Sequence, residues 1–72
     1  MKYLLFDVVA LTEDVPEDGL AAGMVGAIVE VYITPTEAYE VEFCDPQGRT
    51  IALRAFLPEQ LLLVSKRSVG KA

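Results

Sequence analysis

The sequence predicts an all-β fold, five short strands curled into a small barrel. Three observations predict it. Apolar residues make up 53% of only 72 positions, enough for one core and too short for two. The apolar residues are mostly β-branched or aliphatic and recur with a period of two. Turn formers separate these runs at short intervals. Five strands in about 60 residues gain little from a flat open sheet, and curling removes most exposed edges.

Leu5 to Leu11 reads as a first strand, with either face able to enter the core because Val8 and Val9 are both apolar. Thr12 to Gly23 is a long loop dense in charges and turn formers: Glu13, Asp14, Pro16, Glu17, Asp18 and Gly19. Within it, Leu20-Ala21-Ala22 either makes one helical turn or pins the loop to the core. Met24 to Ile33 is a second strand. Val25, Ala27, Val29, Val31 and Ile33 are its expected core face, while Met24, Gly26, Ile28, Glu30 and Tyr32 face outward. Gly26 inside a strand signals a bulge, a bend or a close backbone approach.

Thr34 to Glu37 turns the chain into a third strand, Ala38 to Cys44, with Tyr39, Val41 and Phe43 inward and Glu40 and Glu42 outward. Asp45-Pro46-Gln47-Gly48-Arg49 is a hairpin signal, because Pro46 presets a turn and Gly48 tolerates the left-handed conformation. Asp45 opposite Arg49 would set Phe43 against Ile51, Val41 against Leu53 and Glu40 against Arg54. Leu57 to Leu61 reads as a 3₁₀ turn started by Pro58, and Leu62 to Ser65 as a short last strand. Residues 1–65 form one domain in this reading. Residues 66–72 are a basic tail expected to be disordered.

The long first loop and the 3₁₀ turn before the last strand match the plan of an SH3-like barrel. Gly23 and Gly26 resemble the glycines of ribosome-associated KOW-type barrels. Four runs carry a wider resemblance: Asp7 to Pro16, Gly23 to Tyr32, Ala38 to Phe43, and Leu57 to Leu61. Together they resemble the bacterial family catalogued as domain of unknown function 4926, over residues 7–64. The resemblance implies a small SH3-like barrel and brings no established activity and no catalytic residues. The Thr34–Glu37 turn and the basic tail have no counterpart in it.

Composition narrows the function classes. There is no histidine, which removes the commonest general base and metal ligand. Cys44 is the single cysteine, so neither a disulfide framework, a Cys-His nucleophile nor the usual zinc site is available. It reads as a small residue ending a strand, and a lone thiol suits a reducing cytoplasm. The glycines precede no helix and no Lys-Ser/Thr pair, so no phosphate loop is present. The Met1–Phe6 run is broken by Asp7, and no apolar stretch approaches membrane-spanning length. The expectation is a cytoplasmic non-enzyme with no cofactor, metal or membrane partner.

Charge is uneven. Residues 1–46 carry ten acids and one base, and residues 47–72 carry five bases and one acid, within a net charge of −5. Phosphate contact drives nucleic-acid binding, and an acidic chain opposes it. A protein partner is therefore the expected class. Glu13, Asp14, Glu17 and Asp18 are candidate contacts for a basic surface, and Met24, Ile28 and Tyr32 are a candidate apolar stripe. An antitoxin, immunity or accessory-subunit role is one concrete form. The alternative is an RNA-binding barrel using Arg49, Arg54, Lys66 and Arg67. The four loop acids lack the spacing of an EF-hand, leaving calcium as a side possibility. A monomer and a weak homodimer, the latter through an exposed second strand, both fit.

Overall fold

The computed structural model describes residues 1–66. The expected tail residues 67–72, Arg67 among them, lie outside the described residues. Five strands, all antiparallel, form one sheet: β1 (Val8–Leu11), β2 (Val25–Tyr32), β3 (Ala38–Cys44), β4 (Thr50–Phe56) and β5 (Leu61–Ser65). Their order across the sheet is β4-β3-β2-β1-β5. The all-β class and the 3₁₀ turn before the last strand, Pro58–Gln60, stand as expected.

The barrel does not close. β4 and β5 are the two ends of the sheet and do not pair. The chain passes between them through the Pro58–Gln60 turn. There the Gln60 carbonyl accepts the Thr12 amide at 3.0 Å, which extends the β1–β5 pairing one bond past Leu11 and Leu61 and leaves the gap to β4 unbridged by a ladder.

β1 is shorter than expected. Leu4 to Asp7 form a tight turn instead: the Asp7 amide donates to the Leu4 carbonyl, and Asp7 Oδ2 accepts the Leu4 amide, both at 3.0 Å. Phe6 takes a left-handed φ of 71° within it. The strand proper buries Val9 and Leu11.

β2 inverts the expected faces. Gly26 and Ile28 point into the core, and Val25 points out. Partners across an antiparallel ladder share a face. Gly26 faces buried Val9, and Ile28 faces buried Val41. A register shift between Ile28 and Glu30 leaves Val29 as the extra residue, after which Val31 returns to the core side. Gly26 is there because of crowding. A Cβ at this position would lie 2.7 Å from the Glu42 carbonyl oxygen and 2.7 Å from Val41 Cγ1.

β3 matches its expected bounds, with Tyr39, Val41 and Phe43 fully inward. The hairpin turn also forms as its residues dictate. The Asp45 amide meets the Arg49 carbonyl at 2.8 Å, Gly48 is left-handed, and Asp45 Oδ1 accepts the amides of Gln47 and Arg49. Beyond the turn the expected register is wrong by one. A bulge at Ile51 sets Phe43 against Ala52 and Val41 against Arg54. Ile51 and Leu53 are consequently exposed, and Glu40 faces Ala55 rather than Arg54.

The core fills the inner face of this curled sheet. Two segments outside the strands cap it. Tyr3 packs edge-on against Tyr39 with ring centroids 5.2 Å apart and donates its hydroxyl to the Leu61 carbonyl. From the long loop, Val15 and Leu20 insert as a bonded pair.

Candidate acidic groove

The long loop is a folded element. Pro16 begins a 3₁₀ turn, Pro16–Asp18, closed by left-handed Gly19, whose amide donates to the Pro16 carbonyl at 3.0 Å. The turn reverses the chain so that Val15 and Leu20 exchange backbone hydrogen bonds at 2.9 and 3.1 Å. Both side chains go into the core, so the polar residues between and beside them must face out. Asp14 Oδ1 accepts the Ala22 amide at 2.8 Å and ties the two legs of the loop together. The loop is anchored at its start by the Thr12–Gln60 contact and at its end by Gly23, whose amide donates to the Leu11 carbonyl at 2.8 Å.

Between this loop and the end of β4 lies a groove of about 220 Å³. Leu11, Val15 and Phe56 supply apolar lining. Glu13, Asp14 and Glu17 come from the loop, Arg54 and Ala55 from β4, and Gln60 from the second 3₁₀ turn. Gln60 Oε1 accepts the Leu57 amide at 2.8 Å, which fixes that side chain over its own turn.

Arg54 reaches this place because of the bulge. Facing Val41, it shares the inner side of the sheet, where the loop acids wait. Arg54 Nη1 donates to Asp18 Oδ2 at 2.8 Å, and Nη2 lies 3.4 Å from Glu17 Oε2. The hydrogen bond to Asp18 raises the guanidinium above its ordinary range, with Glu17 adding to it. The loop has thus formed a carboxylate fork around one guanidinium.

The sequence candidates divide. Glu13, Asp14 and Glu17 line one groove, and Asp18 stands beside it on Arg54. Among the described residues no group of three or more acidic or cysteine side chains is placed to hold a metal ion. The apolar stripe does not form. Ile28 is 0% exposed, Met24 is half-buried against the core, and only Tyr32 is exposed, donating its hydroxyl to Glu40 Oε1 at 3.0 Å. Ile28 is therefore corrected from an outward contact to a core residue. β2 is flanked by β1 and β3, so it offers no free edge for the expected dimer.

Of the alternative nucleic-acid contacts, Arg49 pairs with Asp45 at 3.1 Å and Arg54 with the loop acids, while Lys66 is exposed. The expected Glu40–Arg54 pair is replaced by these contacts. Cys44 ends β3 as an exposed free thiol. Sequence reasoning missed the groove's walls, Phe56, Ala55 and Gln60. Their only signal was the paired insertion of Val15 and Leu20 in an otherwise polar loop.

No helix among the described residues is long and apolar enough to cross a membrane. No curated protein and no solved structure gives a significant match to this chain. One family model matches, described as a domain of unknown function, over residues 5–63. That match spans most of the 72 residues, so the chain belongs to the domain of unknown function 4926 family (DUF4926).

Proposed function

We propose that this domain is a non-enzymatic interaction module whose acidic groove docks a basic segment of a partner protein. The observation that carries the reading is the fork that Glu17 and Asp18 form around Arg54 at the wall of the groove. Glu17 and Asp18 are engaged by Arg54, so an incoming guanidinium would compete with Arg54 for them. Glu13 lines the same groove and has room to meet an incoming Lys or Arg. The chemistry available along the groove is charge and hydrogen bonding, since it includes no serine, threonine, cysteine or histidine.

An antitoxin, immunity or accessory-subunit role is compatible with this reading, and a reducing cytoplasm is the compartment that suits the exposed Cys44 thiol. The RNA-binding alternative is disfavoured because Arg49 and Arg54 already have carboxylate partners.

Calorimetric titration with an arginine-rich peptide, and in parallel with an RNA oligonucleotide, tests the proposal. Peptide binding is expected to weaken as salt rises. It should fall at least tenfold, about 1.4 kcal/mol, in the Glu13→Gln/Glu17→Gln double variant. Asp14 is left intact because it holds the loop together through Ala22. Peptide affinity unchanged in the double variant, or binding of the RNA alone, overturns the reading.

A further inference from the structure

The two strands that end the sheet are not alike. β4 is interrupted at Ile51 and carries Arg54, features that discourage a further strand. β5 reads Leu-Leu-Leu-Val-Ser, with no charge and no proline. Its one irregularity, at Val64, falls near the C-terminal end and leaves Leu61 to Leu63 in a regular ladder with β1. Leu62, Leu63 and Val64 are 60%, 44% and 54% exposed. They are consecutive, so aliphatic side chains stand in solvent on both faces of the strand. Among the described residues β1 is its single strand neighbour. On the other edge the Leu61 amide donates to the Pro58 carbonyl and the Leu61 carbonyl accepts the Tyr3 hydroxyl, so the open part of that edge begins beyond Leu61. An uncharged aliphatic strand with an open edge is a template for another strand.

We propose that β5 pairs antiparallel with β5 of a second copy of this chain about a two-fold axis, joining two five-stranded sheets into one. A two-fold axis sets the strand against itself, so the partner has the same length and the same aliphatic side chains. The ends of the strand supply the charge match. Lys66 follows β5 and Glu59 precedes it, and both are exposed. In the antiparallel sense Lys66 comes beside the partner subunit's Glu59, and the contact occurs twice. These two contacts offset part of the repulsion between copies that each carry a net charge of −5. The pairing is independent of what the acidic groove binds.

Sedimentation of the full 72-residue chain over a concentration series tests this. A reversible, closed dimer is expected, with slowed amide exchange within Leu63–Ser65 as it forms. Leu63→Lys should weaken it at least ~10-fold, with circular dichroism reporting that the fold remains. Glu59→Lys should weaken it too, and Glu59→Lys combined with Lys66→Glu should restore it. The charge variants decide the matter even if Leu63→Lys unfolds. A monomer up to ~1 mM overturns the proposal. So does open-ended assembly, a dimer that persists in folded Leu63→Lys, or a double reversal no better than the single one.

Discussion

Asp45 and Gly26 show how much single residues decide here. Asp45 closes the β3–β4 hairpin by accepting two amides and pairing with Arg49. The Arg49 amide is the main reason its carboxyl lies below the ordinary 3.8. A carboxyl whose folded pKa is depressed adds stability above its unfolded pKa and loses it as pH falls through the folded value. Asp45→Asn keeps an acceptor oxygen and removes the charge. The stability gap between wild type and this variant, followed by denaturant melts, is therefore expected to be fully open at about pH 5 and to narrow below about pH 4. It should be small, and smaller in salt, because the pair is exposed. At Gly26 the effect is steric. Glu42 backbone lies where a Cβ would go, so Gly26→Ala should cost about 1–3 kcal/mol in the same melts.

At the scale of elements, two bulges control which side chains meet the core. The one at Val29 lets β2 bury Ile28 and still return Val31 to the core side. The one at Ile51 turns Ile51 and Leu53 outward and brings Arg54 inward. An extra residue in one strand shifts the alternation after it, so a pattern read without the bulge assigns the wrong face. The phase has a direct test. Ile28→Ala should cost about 2–5 kcal/mol, as expected of a fully buried aliphatic residue. Val25→Ala, at an exposed position on the same strand, should stay within about 0.5 kcal/mol. Equal costs would contradict the inverted faces.

For the molecule as a whole, the long loop joins stability to the proposed function. Val15 and Leu20 anchor it in the core, and Arg54 ties its acidic outer side to β4. Arg54 thereby occupies carboxylates that a basic partner would use. Replacing it with Met keeps most of the stem and removes the internal counter-ion. Arg54→Met is expected to bind the arginine-rich peptide more tightly than wild type in calorimetry. It should also exchange the Val15 and Leu20 amides faster, because the loop has lost a tether. Weaker peptide binding in this variant would make Arg54 part of the docking surface instead of a competitor.

By itself the sequence determined the all-β class, the bounds and inward set of β3, the Asp45–Arg49 turn and the Pro58-initiated 3₁₀ turn. Each follows from local chemistry: strict alternation, the backbone limits of Pro and Gly, and an Asp able to accept nearby amides. The acidic character of the first loop was legible for the same reason, being composition. Tertiary structure decided the rest. Whether Ile28 or Val25 faces inward depends on what lies across the ladder, and both are equally apolar. Arg54 chose Asp18, 36 residues away, over Glu40, because a one-residue bulge turned it to the other face of the sheet. The open sheet, with β5 at its edge, is likewise a property of pairing between distant strands, which no local pattern encodes.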